Sequence, residues 1–242
     1  MIAIEAKNLT KKYKDVIAVN DLNLSIDNGE LFSLLGVNGA GKTTTIKMLT
    51  CLTKPTDGDA YILGKSITKD TDEVKTFLNL SPQEIAVAPN LTVYENLEFI
   101  IGIYGIPKAK QKEKIEEMID KFNLEKVRNK KAWKLSGGWQ RRLSISMALI
   151  TEPKILFLDE PTLGLDVLAR RELWNIIEGL KGKITIILTT HYMEEAEKLS
   201  DRIGIMKDGL LLDVDTSTNF INKTKEKTFE DAFVKIVSEA KQ

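Results

Sequence analysis

The sequence predicts an α/β fold with a mainly parallel sheet, an N-terminal antiparallel β-subdomain and an inserted α-helical subdomain. Residues 31–35 form a short apolar run that stops at Gly36, and helix formers follow from Lys42 to Leu49, the order strand, glycine loop, helix. Apolar runs at 155–158 and 184–188 are bounded by breakers and separated by a stretch in which Leu173, Ile176, Ile177 and Leu180 share one helical face. Strands alternating with helices imply parallel pairing. Residues 84–150 change character and read as helices inserted into that core.

At the N-terminus Ile2, Ile4 and Ala6, and again Leu22, Leu24 and Ile26, alternate with polar residues, the period of half-buried strands. In the inserted part, Thr92 followed by Glu95 is a capping box opening a helix to about Tyr104. Pro107 opens a second helix, whose Ile115, Met118, Ile119 and Phe122 recur at helical spacing, and a third is expected from about Trp139 to Ile150. The division expected is an α/β core of residues 1–83 and 151–215, a helical subdomain of 84–150, and a polar, weakly helical tail of 216–242, all within one domain.

Composition narrows the function. Lys plus Arg and Asp plus Glu number 35 each, so the chain has no net field to gather nucleic acid or anionic lipid, and nucleic acid is not expected as a partner. One cysteine, Cys51, cannot form an internal disulfide, and no apolar signal peptide opens the sequence, which together indicate a cytoplasmic setting. The most apolar stretch, 97–106, contains Glu98 and two glycines and falls short of the ~20 apolar residues that cross a bilayer.

Gly36-Val37-Asn38-Gly39-Ala40-Gly41-Lys42-Thr43, followed by Thr44, has the spacing of a P-loop, where glycines let the backbone wrap a phosphate with its N–H groups inward. The helix beginning at Lys42 adds its positive end. Lys42 can reach the outer phosphates of ATP, and the Thr43 hydroxyl is placed to ligand Mg2+. The run Ile155-Leu156-Phe157-Leu158 then delivers Asp159 and Glu160 to a strand's C-terminal end, the edge at which open α/β sheets bind ligands. Asp159 would hold the metal through water or Thr43, and Glu160 would accept a proton from the attacking water or orient it. Taken alone, such an acidic pair is also what a solvated strand end looks like. Ser136-Gly137-Gly138 opening a helix makes a second anion cradle, or an ordinary serine N-cap.

With these motifs in hand, the chain resembles the nucleotide-binding domain of the ABC transporter superfamily, over nearly its whole length. Leu135-Ser136-Gly137-Gly138 is similar to the family's signature motif, although Trp139 stands where glutamine is frequent. Gln83 resembles the Q-loop glutamine, which in relatives touches magnesium or the attacking water. His191, the single histidine, resembles the switch histidine at the γ-phosphate, Asp166 the D-loop residue that meets the opposite subunit, and Tyr13 the aromatic residue that stacks on adenine.

The resemblance implies a P-loop NTPase core and an ATPase whose two copies, identical or homologous, meet head to tail, so that the P-loop of one and the signature of the other enclose each ATP. It also implies a separately encoded transmembrane permease, docked near Gln83 and residues 84–90, with the chain peripheral on the cytoplasmic face of the membrane. Residues 161–166, the run Arg170-Arg171-Glu172 and residues 228–233 look most like bacterial drug, lipid or polysaccharide exporters. A soluble ATPase of an assembly pathway, such as iron–sulfur cluster formation, would share every motif and differ in its partner.

Overall fold

A computed structural model describes residues 1–240. The elements in chain order are β1 (Ile2–Tyr13), β2 (Val16–Asp27), β3 (Leu31–Gly36), α1 (Lys42–Leu49), β4 (Asp57–Ile62), β5 (Lys65–Ser66), α2 (Thr71–Phe77) and β6 (Leu78–Ser81). The inserted helices are α3 (Val93–Ile103), α4 (Lys108–Lys121) and α5 (Gly137–Leu149). The chain continues through β7 (Ile155–Asp159), α6 (Val167–Glu178), β8 (Thr185–Thr190), α7 (Met193–Leu199), β9 (Arg202–Lys207), β10 (Leu210–Asp215), α8 (Ser217–Thr224) and α9 (Phe229–Glu239).

Two sheets organise these elements. The first is antiparallel, in the order β2-β1-β4-β5, and the second runs β10-β9-β3-β8-β7-β6, parallel from β9 to β6 with β10 antiparallel at its edge. Every residue of β3, β7 and β8 is buried, as expected of parallel strands covered on both faces. That double burial is why their sequences read as continuous apolar runs rather than alternations. The fold class is therefore the one expected from sequence.

Leu22, Leu24 and Ile26 are buried on β2 as their alternation requires, but on β1 Ala3 and Ile4 are buried while Ile2 is exposed. The pairing register shifts between Ile2 and Ile4, which breaks the two-residue period expected there. The Thr92–Glu95 capping box is formed in both directions, and Ile115, Met118, Ile119 and Phe122 are buried in a core shared with β7, β8 and α6. The third inserted helix starts at Gly137 rather than near Trp139, because Ser136 takes the N-cap position and the two glycines form the first turn. The segment after Thr216 is more ordered than its polar composition suggests. Thr216 and Thr228 cap α8 and α9, and Phe220, Phe229 and Phe233 pack with Leu35, Ile203 and Ile205. Residues 241 and 242 of the expected tail lie outside the described residues. Among the described residues no helix is long and apolar enough to cross a membrane.

Candidate functional site

Neighbouring strands of the parallel sheet, in the order β3-β8-β7-β6, end on one edge and deliver their following residues to one place. Leu35 pairs with Thr190, Asp159 with Thr189 and Ser81 with Leu158, so the loop after Gly36, His191, the Asp159–Glu160 pair and Gln83 leave the sheet at nearly the same level. A cavity of about 320 Å³ lies there, lined by Ala18, residues 38–44, Gln83 and Glu160.

The loop from Gly36 to Lys42 is held in its wrapped form by backbone geometry. Gly41, at φ 105°, is the N-cap of α1, and a Cβ there would stand 2.5 Å from the Ala18 carbonyl oxygen. Only glycine satisfies both conditions. At the start of α1 the amides of Lys42, Thr43 and Thr44 have no carbonyl one turn earlier to bond, which leaves them for an anion. Lys42 is buried, its Nζ donating to the carbonyls of Gly36 at 2.7 Å and Val37 at 3.2 Å and standing 3.6 Å from Glu160 Oε1. Burial lowers its pKa, while Glu160 and Asp159 oppose the shift. Lys42 is thus a charge on makeshift partners, one that a polyphosphate entering the cavity would satisfy better.

Across the cavity, the Thr43 hydroxyl donates to Asp159 Oδ1 at 3.2 Å. Thr189 on β8 also donates to that oxygen and fixes the carboxylate. Among the described residues there is no cluster of three or more His, Cys, Asp or Glu side chains able to enclose a metal. One hydroxyl lining the cavity and one carboxylate bonded to it suit instead a small hard cation that keeps waters and takes phosphate oxygens, which is how Mg2+ binds. The residues present therefore fit both ATP and Mg2+.

Glu160 has a left-handed backbone, φ 48°, an arrangement that costs a non-glycine residue about 1–2 kcal/mol. Two bonds to β8 hold it there: its N–H donates to the Thr189 carbonyl at 3.1 Å and lies 3.0 Å from the Thr189 hydroxyl. The turn brings the buried carboxylate back over the cavity, with Oε2 2.7 Å from His191 Nδ1. Thr189 therefore positions both acids. Sequence reasoning missed it, although its place next to the end of β8 was the available signal.

The other expected site residues are placed less centrally. Tyr13, at the end of β1, 45% exposed and with Lys11 Nζ 5.0 Å from the ring centroid, is not among the residues lining the phosphate cavity. Ser136 caps α5 by position but its side chain makes no capping bond, leaving an exposed hydroxyl beside the free amides of that helix. Gly138 faces α6 closely, since a Cβ there would come 3.0 Å from that of Ala169. Asp166 Oδ1 accepts from the Leu168 and Ala169 amides, both at 2.9 Å, so this residue caps α6. A second cavity, about 760 Å³, lies between residues 119–126 and α6, where Arg142 is paired with Glu172.

Fold and site together define a P-loop nucleotide-binding protein. The comparisons make this narrower. The family model described as ABC transporter matches residues 19–163. The human phospholipid-transporting ATPase ABCA3 is 45% identical over 212 residues, covering 86% of this chain and 12% of that protein. The probable multidrug ABC transporter ATP-binding protein YbhF of Escherichia coli is 40% identical over 240 residues, covering 97% of this chain and 41% of its own length. The chain thus spans less than half of these curated relatives. A solved ATP-binding subunit of an ABC transporter superposes with a TM-score of 0.85 at 27% identity over 97% of this chain and 99% of that one. A dimeric ATP-binding cassette in a post-hydrolysis state with ADP and Pi gives 0.79 at 30% identity over 88% and 98%. The chain belongs to the ABC transporter family and is one of its ATP-binding cassettes.

Proposed function

We propose that this chain binds ATP with Mg2+ and hydrolyses it, and that the cycle closes and opens a head-to-tail pair of cassettes that drives a separately encoded transmembrane permease. The observation that carries the reading is the meeting of Lys42, Thr43 and Glu160 around one cavity at the start of α1, with Asp159 buried behind it and bonded to the Thr43 hydroxyl. In this reading residues 1–83 and 151–215 form the ATP-binding core, 84–150 the helical subdomain with the signature motif, and 216–242 a tail of the same domain.

The amides of residues 38–44 bind the phosphates, and Lys42 leaves the Gly36 and Val37 carbonyls to pair with the outermost ones. Thr43 and Asp159, with Gln83 nearby, would hold Mg2+, which would supply positive charge against the outer phosphates. Glu160 accepts the proton of the attacking water at a carboxylate oxygen. His191, bonded to that carboxylate through Nδ1, holds it in position and presents its other ring nitrogen for the γ-phosphate. Tyr13 offers a half-exposed ring to the adenine. Ser136, Gly137 and Gly138 of one copy close over the ATP of the other, with Asp166 near the junction, and hydrolysis removes the phosphate that bridges them. The dimeric neighbour bound to ADP and Pi supports this arrangement.

The multidrug and phospholipid-transporting relatives support an exporter, with the chain peripheral on the cytoplasmic face of the membrane and its permease seated near Gln83 and residues 84–90. Glu160→Gln keeps ATP binding, lowers turnover at least ~100-fold and accumulates an ATP-bound dimer. Light scattering that finds only monomer in saturating ATP contradicts the head-to-tail switch. Purification of the native complex yields an integral membrane protein; recovery of soluble partners alone favours an assembly-pathway ATPase instead.

A further inference from the structure

The last residue of β6 and the two that follow it are bonded to a single helix. Ser144 on α5 shares a hydrogen bond of 3.0 Å with Ser81, and one turn earlier the Arg141 guanidinium donates from Nη1 to the Pro82 carbonyl at 2.7 Å and from Nη2 to the Gln83 carbonyl at 2.6 Å. Arg141 is 3% exposed, and its Nε has no partner. Burial pushes its pKa below the usual arginine value, and the Asp159 carboxylate works against that shift. A desolvated guanidinium is costly to keep, and both bonds it makes are to main chain rather than to an acid. The planar fork matches two successive carbonyls and fixes their direction, which a lysine ammonium, a point charge, does not.

The same helix begins with the second phosphate cradle at Ser136, and Gln83 lines the first one. We propose that Arg141 is a positioning residue that locks the backbone of Gln83 to α5 and thereby holds the Gln83 side chain at the phosphate cavity. The inference rests on the reading of Gln83 as a group that acts on the bound nucleotide.

A double-substitution cycle on the full-length chain tests it, with ATP turnover and ATP affinity measured separately. Arg141→Met lowers kcat by about 10- to 100-fold, the scale of a misplacement near 1 Å, and leaves ATP affinity within about twofold. Arg141→Lys, which still reaches one carbonyl, restores part of the loss and serves in the same cycle if the methionine variant does not fold. Introduced into Gln83→Ala, which itself lowers kcat, either substitution produces no further loss. If the losses multiply instead, Arg141 acts independently of Gln83 and the proposal fails while the role of Gln83 stands. If Gln83→Ala alone leaves kcat unchanged, the role of Gln83 falls and the proposal with it.

Discussion

Gly41→Ala and Gly39→Ala, two substitutions in the same loop, separate backbone strain from phosphate binding. Both glycines have positive φ, 83° at Gly39 and 105° at Gly41, so either alanine carries left-handed strain of about 1–2 kcal/mol. Around Gly39 no atom lies within 4 Å of an added Cβ, and strain is the whole cost. At Gly41 the Cβ would lie 2.5 Å from the Ala18 carbonyl oxygen and 3.3 Å from Met206 Cε, so the start of α1 or β2 must move by nearly 1 Å to restore ordinary contact. Overpacking of this kind adds about 1–3 kcal/mol. The displaced amides are those that face the phosphates, and a charge-assisted hydrogen bond contributes about 1.5–3 kcal/mol. Losing one weakens ATP binding by about 10- to 100-fold. Denaturant unfolding and calorimetric ATP titration of the two variants give the comparison. Gly39→Ala should be mildly destabilised with the smaller loss of ATP affinity, and Gly41→Ala should lose about twice as much stability and most of its affinity. Equal affinities in the two variants would refute the placement of the phosphates at the start of α1.

Thr43→Val removes the hydroxyl beside Asp159 at nearly constant volume. It should weaken ATP binding about 10-fold when Mg2+ is present and hardly at all in excess chelator, and an equal loss in both conditions would remove Thr43 from the metal site. Glu195 on α7 is buried, its Oε1 accepting from the Thr162 hydroxyl at 2.8 Å and Trp174 Nε1 at 2.9 Å while Oε2 has no partner. Burial raises its pKa above the ordinary carboxylate value, against the bonds from Trp174 and Thr162. The folded state thus binds the proton more tightly than the unfolded state. That contribution is fully present below the unfolded pKa and fades as pH rises through the folded value. Glu195→Gln, neutral at every pH, should therefore gain in melting temperature relative to the parent as pH is raised above the usual carboxylate range. A difference independent of pH would contradict the raised pKa.

What the sequence made legible is the part carried by local signals. The fully buried runs of β3, β7 and β8, the Thr92–Glu95 cap and the helix starting at Lys42 all follow from short-range patterns, because burial, capping and glycine geometry act over a few residues. The edge strands β6 and β10 and the helix pair α8 and α9 did not stand out, since a short edge strand needs only part of the apolar signal and the Phe220–Phe229 cluster acquires meaning only against Ile203 and Ile205. At the site, the sequence pointed to residues one at a time, and the structure shows their spacing. Gln83, Lys42, Thr43 and Glu160 border one cavity, whereas Tyr13 is not among its lining residues. Thr189, Arg141 and Glu195 were missed because each works through partners distant in the chain: Thr189 on Asp159, Arg141 on Pro82 and Gln83, Glu195 on Thr162 and Trp174.

The most direct test is a crystal structure of Glu160→Gln grown with ATP and Mg2+. The phosphates should lie against the amides of residues 38–44, with Lys42 Nζ moved from the Gly36 carbonyl onto the outermost phosphates and the metal between Thr43 and Asp159. Density for the triphosphate anywhere else, the larger cleft beside α6 included, would contradict the account.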